Sequence, residues 1–454
     1  MAGWLTRWIG GGRVAAARPA PAAAWVPSPA PGVQAATSPS IADTPAPEPA
    51  ASFGLRKPLV GRSGQVAAFE LLLPMSAKRH LTAGGSPVAQ AANQAALLLA
   101  ARFIGASGRP ALVQVPAALL ERPSVHAAAP AGSLLWVSGL SDLTPAVSQG
   151  LRERGVRLGA PDGPPAHEPA IDFLVLQAPS GEVDNAILSA QRWREIWPKL
   201  TVVALGLQHL DDVERVLKGG INLAGGQLGR SAGPTPPREL GSAAHRICEL
   251  LNHLALDRDN AVIAQAVRLD VALSYRLLRY VNSPAIGLAR SIETVDQAVT
   301  VLGRAEMYRW LSVQLLACGA VRQASRAMQE SALARGKLLE AVALARGEPD
   351  AGALFTLGLL SLIEPLLQVP LAAAIGPLRL GEAAREALLR RTGAWADHLA
   401  LLDAIDSAEG ARVDGLAERL GVADALPALL DAAWQWSAAA TETTGEPAVN
   451  RAGW

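Results

Sequence analysis

Thirteen residues near the middle of the chain, Leu228 to Leu240, read LGRSAGPTPPREL. Hydrophobic patterning changes character across them. Before this stretch, short apolar runs alternate with helical segments. After it, apolar residues recur at helical spacing and runs of strand type vanish. A chain that changes period across a Gly/Pro-rich break is expected to build two units of different class.

The upstream part sets out the first class. QVAAFELLLP, ALVQVP, LLWVSGL, FLVLQAP and TVVALGLQ read as buried strands. SPVAQAANQAALLLAARFIG, DLTPAVSQGLRERG, NAILSAQRWREIWPKL and DDVERVLKGG read as the helices between them. Strands alternating with helices predict a parallel sheet or an α/β barrel. The downstream part is predicted to be all-helical. Asp270 is placed to cap a helix carrying Leu273, Leu277, Leu278 and Val281, and NSPAIG stops it. Thr294 and Gln297 have capping-box spacing for the next helix, which Gly303 closes.

The expected organisation is a disordered Pro/Ala-rich segment over 1–52, an α/β unit over 53–232, a helical unit over 240–440 and a flexible tail over 441–454. Trp4, Leu5, Trp8 and Ile9 form one face of a short amphipathic stretch, a weak membrane contact at most. No apolar run reaches the roughly 18–20 residues of a spanning helix, and the start is a poor signal peptide. Lys+Arg number 41 against 40 Asp+Glu, with no basic stripe, which argues against nucleic acid as a partner. The two cysteines, Cys248 and Cys318, sit in apolar helical contexts and fit reduced core residues of a cytoplasmic protein. LAGGQLGRSAGP lacks the glycine spacing of a phosphate loop and has Arg230 where lysine belongs.

Arg268 to Ala317, RLDVALSYRLLRYVNSPAIGLARSIETVDQAVTVLGRAEMYRWLSVQLLA, strongly resembles the HDOD domain, and the likeness continues through ALFTLGLLSLIEPLLQVPL to LLDAAWQWS. The resemblance implies a helical relative of HD-type metal phosphohydrolases without the metal ligands. Ser361 and Leu362 follow Gly358-Leu359-Leu360 where the His-Asp pair would stand, and neither can hold a divalent cation. His245, His253 and His398 show no ligand spacing. Asn282, Ser283, Pro284 and Gly287 form the signature loop, read as architecture. Glu364 lies in an apolar run beside Pro365. It is expected either at a helix end or in a buried ion pair with Arg276, Arg279, Arg304 or Arg309.

Leu55 to Pro74, LRKPLVGRSGQVAAFELLLP, looks like the start of an EAL domain, a TIM-type α/β barrel that hydrolyses cyclic di-GMP with two metal ions. That resemblance carries over residue by residue. Glu70 keeps the motif glutamate. Gln114 replaces an asparagine ligand and Val137 a glutamate. Pro161-Asp162 keeps one of two aspartates. Val175 and Gln177 stand for a lysine and an aspartate, and Leu205 and Gln208 for two glutamates. Two-metal hydrolysis needs carboxylates converging at the barrel mouth, so the EAL-like unit is expected to be degenerate. The implied protein is not an enzyme, binds no cofactor, and transmits a signal through unidentified protein partners. A non-catalytic cyclic di-GMP receptor is the alternative, and residual phosphodiesterase activity ranks below it.

Overall fold

The computed structural model describes residues 55–72, 86–105, 108–161, 171–179, 181–235, 238–283, 286, 288, 290–319 and 322–444. The expected disorder before residue 52, the Trp4–Ile9 face, Asp162, Pro284, Gly287 and the tail beyond 444 lie outside these residues.

Eight strands close a barrel in chain order: β1 (Leu55–Gly61), β2 (Val66–Leu72), β3 (Ala111–Pro116), β4 (Leu134–Ser138), β5 (Arg157–Pro161), β6 (Phe173–Gln177), β7 (Thr201–Leu207) and β8 (Leu223–Gly226). From β2 to β8 the neighbours are parallel, whereas β1 runs antiparallel to both β2 and β8. The expected α/β barrel is therefore present, and the five apolar runs are β2, β3, β4, β6 and β7. Strand β8 was hidden behind its own composition. Its glycines look like a loop in the sequence but are needed for closure. A Cβ on Gly225 would sit 2.7 Å from Leu59 and 2.9 Å from Leu205.

The lumen is filled. Leu59, Ala68, Leu112, Leu134, Trp136, Phe173, Val175, Val203, Leu205 and Leu223 form one buried cluster, a packed core of the kind small barrels require. Outside, α1 (Pro87–Gly105), α2 (Ala117–Leu120), α3 (Pro123–Ala128), α4 (Pro145–Glu153), α5 (Val183–Ile196) and α6 (Leu210–Lys218) cover most of the wall.

After β8 the described residues build helices: α7 (Ser242–Ala255), α8 (Asn260–Arg268), α9 (Val271–Val281), α10 (Val295–Ala317), α11 (Ser325–Arg346), α12 (Ala351–Leu360), α13 (Ile363–Leu367), α14 (Leu371–Ile375), α15 (Glu382–Arg390), α16 (Ala396–Asp406), α17 (Gly410–Arg419) and α18 (Leu426–Thr444). The predicted caps are real. Asp270 accepts from the Leu273 N–H at 2.9 Å, and Thr294 from the Gln297 N–H at 3.3 Å. The Gln297 side chain accepts from Glu293, one residue earlier than a capping box requires. Gly303, at φ 71° and ψ 173°, breaks α10 where the sequence placed a helix end. Helix α18 runs four residues past the predicted stop at 440.

The two halves share one core. The outer face of the β1–β2 hairpin is covered by α11 and α18 of the helical half. Phe69 meets Trp434 edge-on, with ring centroids 4.9 Å apart. Buried Arg56 pairs with Asp431. Arg109 pairs with Glu330 and lies over Phe69. At the hairpin turn, Gly64 (φ 77°) presses so closely on the helical half that a Cβ would overlap the Gln323 carbonyl, and its own carbonyl accepts from Ala327 at 2.9 Å. Arg322 reaches back to α6, bonding Asp211 at 2.5 Å and Glu214 at 3.1 Å.

Candidate functional site: the barrel mouth and its helical ceiling

Strand alternation places side chains inward at the carboxyl ends of the parallel strands. On β2, Ala68 lines the lumen, so Glu70 faces inward one step above it, directly across from Lys57 on β1. Glu70 is half-buried. Burial pushes its carboxyl above the usual carboxylate range, and Lys57 pulls the other way.

The remaining expected positions divide into two sets. Val175 and Leu205 are lumen residues, 0% and 2% exposed. Gln114, within β3, and Gln177, at the end of β6, are exposed, and α1 braces the first of them through Gln94, which donates to the Gln114 carbonyl at 2.9 Å. Gln208 folds over the end of β7, donating to the Gly206 carbonyl at 2.9 Å. Val137 corrects the carry-over. It faces outward into the helical coat, and the lumen position on β4 is its neighbour Trp136. A one-residue slip reverses the face of a strand, and LLWV offered no polar residue to fix the register.

The ceiling over the mouth comes from the helical half. Arg335 of α11 is buried and bonds Asp403 at 2.8 Å and Asp406 at 2.7 Å, both on α16. Burial pushes the Asp406 carboxyl up, while Arg335 pulls it down and Asp403 pushes it up again. Lys57 also pulls it down, so Asp406 and Glu70 feel the same ammonium group. The charges Arg335, Asp406, Lys57 and Glu70 thus run from the helical half into the barrel. None was legible as a set in the sequence. Arg335, Asp403 and Asp406 lie in ordinary helical segments, and only folding gathers them.

Ser361 and Leu362, which the resemblance sets where a His-Asp pair would stand, form a packing joint. Leu362 is 1% exposed, and a Cβ on Gly229, in the segment after β8, would stand 2.8 Å from its side chain. Ser361 donates to the Gly358 carbonyl, closing the end of α12. Helices α11 and α12 touch backbone to backbone there, since a Cβ on Gly358 would lie 2.6 Å from the Arg335 carbonyl oxygen. Among the described residues, no group of three or more His, Cys, Asp and Glu could hold a metal ion.

Glu364 takes the helix-end alternative. It is half-buried in the first turn of α13, and among the described residues no ion pair includes it. Arg304 instead pairs with Asp257, Arg309 with Glu340, and Arg276 bonds its own helix at Ala272. His398 is buried near Glu348, and desolvation holds it below the ordinary histidine range. Burial pushes the Cys248 thiol up to about 12.

Asn282 is the structural centre of the signature loop. Its amide donates to the carbonyls of Leu278 at 2.9 Å and Ile292 at 2.8 Å, and its oxygen accepts from the Ile292 N–H at 2.7 Å. One side chain therefore ties the end of α9 to the approach of α10. Ser283 continues the turn, its N–H donating to Tyr280 at 3.0 Å.

The sequence model of the HDOD domain matches residues 239–374. The uncharacterized protein YuxH of Bacillus subtilis (strain 168) is 27% identical over 202 residues, 43% of this chain and 48% of the relative. The match thus spans about half the length of that curated relative. Similar solved structures include an EAL domain protein from Listeria monocytogenes EGD-e (12% identity, TM-score 0.29, 38% of this chain and 84% of that one). Another is Klebsiella pneumoniae BlrP1 in a calcium/cy-diGMP complex (18% identity, TM-score 0.29, 40% and 56%). A third is the EAL domain of Mycobacterium smegmatis DcpA (17% identity, TM-score 0.27, 39% and 90%). Among the described residues, no helix is long and apolar enough to cross a membrane. The chain joins a closed eight-stranded barrel to a helical half that carries an HDOD domain.

Proposed function

We propose that this chain is a non-catalytic, cytoplasmic signal-transduction protein that works through protein contacts of its HDOD half, on a barrel that has lost two-metal chemistry. The observation that supports this reading is the use made of the two former sites. Leu362 packs on Gly229, and the mouth presents Glu70, Lys57 and glutamines beneath the Arg335–Asp403–Asp406 cluster. A lone carboxylate supplies neither the charge that retains two cations nor a base for water. Purified protein incubated with cyclic di-GMP and Mg²⁺ or Mn²⁺ is expected to give no linear product. Turnover that vanishes in Glu70→Ala would overturn the reading.

A second reading is a cyclic di-GMP receptor. It has support from Lys57, Gln114 and Gln177, which offer a cation and amide groups on the strands, and BlrP1 is described as a complex with that nucleotide. Equilibrium dialysis with labelled cyclic di-GMP separates the two. Saturable binding that is lost in Lys57→Ala supports the receptor.

A further inference from the structure

Seven of the thirteen large apolar residues that stand exposed among the described residues fall between Leu256 and Val301, in or between the first four helices of the helical half. The most exposed of all flank one turn. Leu269 ends α8 and is 83% exposed, Val271 opens α9 at 82%, and Tyr275 follows one turn later at 67%.

This turn is held firmly. Asp270 caps α9 through Leu273 and pairs with Arg246 at 3.3 Å. The Ser274 hydroxyl donates to the Val267 carbonyl at 3.0 Å, and Arg268 pairs with Asp296. A turn so pinned presents Leu269 and Val271 outward as fixed features rather than as a loose connection. Residues this exposed on either side of a turn project from the surface, where nothing in their own fold rewards an apolar side chain.

Charge identifies the occupant. From Val271 to Ile292 the chain carries Arg276, Arg279 and Arg290 and no Asp or Glu. All three arginines are exposed. Of the carboxylates that flank this run in sequence, Asp270 and Asp296 each already face an arginine, and the exposed Glu293 stands at its far end, past Arg290. The corner therefore combines a projecting apolar tip, an amphipathic tyrosine and a basic surround. A protein partner would need a recess shaped to the tip. A bilayer receives a projecting tip without shape matching, places tyrosine at the headgroup level, and draws arginines to anionic lipid.

We propose that the α8–α9 corner docks the protein reversibly on an anionic lipid surface, with Leu269 and Val271 entering the headgroup boundary and Arg276 and Arg279 meeting lipid phosphates. The inference is independent of whether the barrel is catalytic.

The test uses the full chain and vesicles of phosphatidylcholine with or without about 30% phosphatidylserine, as a mimic of an anionic leaflet. Co-sedimentation is expected with the anionic vesicles, weakening as salt rises, and not with the neutral ones. Arg276→Gln/Arg279→Gln is expected to weaken partitioning roughly 25-fold, taking about fivefold for each arginine. Leu269→Ser/Val271→Ser is expected to weaken it at least ~tenfold. Hydrogen exchange on the unaltered protein supplies a readout that needs no variant: protection on adding vesicles should concentrate over 262–279. Three results would overturn the proposal: no sedimentation of the wild-type chain, protection elsewhere only, or binding kept by both variants but abolished in Trp4→Ala/Trp8→Ala.

Discussion

Removing the carboxylate of Asp431 should weaken the joint between the two halves. Arg56 lies on β1, 2% exposed, with Asp431 of α18 as its counter-charge. Burial lowers the Arg56 pKa and Asp431 offsets part of that cost. A guanidinium cannot shed its proton in a protein, so Asp431→Ala leaves a cation stranded against apolar walls. Breaking a buried pair from one side costs about 3–5 kcal/mol. Replacing both partners, as in Arg56→Met/Asp431→Leu, should be close to neutral, because the desolvation penalty disappears with the charges. A double-mutant cycle should then show coupling of at least ~2 kcal/mol. Guanidinium unfolding followed by both far-UV circular dichroism and tryptophan fluorescence is the assay. Since Trp434 packs on Phe69 of the barrel, both probes should move together to lower denaturant. A loss below ~1 kcal/mol in Asp431→Ala, or separate transitions for the two probes in the wild-type protein, would refute the claim that one core spans both halves.

Other outcomes follow from single contacts. Asn282→Ala removes three hydrogen bonds shorter than 3 Å and should cost about 1–3 kcal/mol, at about 0.5–1.5 for each of these solvent-accessible bonds with some relaxation. Asn282→Asp should be no better, because its carboxylate would face two carbonyls, and thermal melts would show this. Asp270 is held below the ordinary carboxylate range, first by the Leu273 N–H bond and then by Arg246. Its stabilisation is therefore present above the unfolded value near ~3.9 and fades as pH falls through the lower folded value. Asp270→Ala should cost about 1 kcal/mol at neutral pH and little once the carboxyl is protonated, which paired melts at neutral and strongly acidic pH would check. Gly64→Ala should fail at the hairpin turn, where both φ 77° and the Gln323 carbonyl forbid a Cβ, and should expose α11 to limited proteolysis.

Much of the fold was legible because its signals are local. Five apolar runs gave five strands, and Asp270, Thr294 and Gly303 marked helix ends by chemistry that acts within a few residues. Strand β8 escaped because closing a barrel demands small residues, which in isolation look like a turn. The site was legible only position by position. Apolar side chains such as Val175, Leu205 and Leu362 offer no donor atom to a metal, but the sequence does not show which groups fold over the barrel mouth. Val137 slipped by one position because nothing in an all-apolar strand distinguishes its two faces. The Arg335–Asp403–Asp406 cluster and its reach to Lys57 depend on the docking of α11 and α16 over the mouth. No periodicity within either helix encodes that contact.

The cover of β1 and β2 by α18 also imposes an order on biosynthesis. The hairpin carrying Arg56 and Phe69 leaves the ribosome before any other described strand, while Asp431 and Trp434 belong to the last described helix. Until α18 arrives, the barrel can pair its strands but carries an unshielded guanidinium and a bare aromatic face on its first two. Contacts so distant along the chain close slowly and leave apolar surface open to other molecules meanwhile. A nascent chain of this design should therefore lean on chaperones longer than a barrel that supplies its own coat. A release cut anywhere ahead of α18 should yield insoluble rather than merely inactive protein.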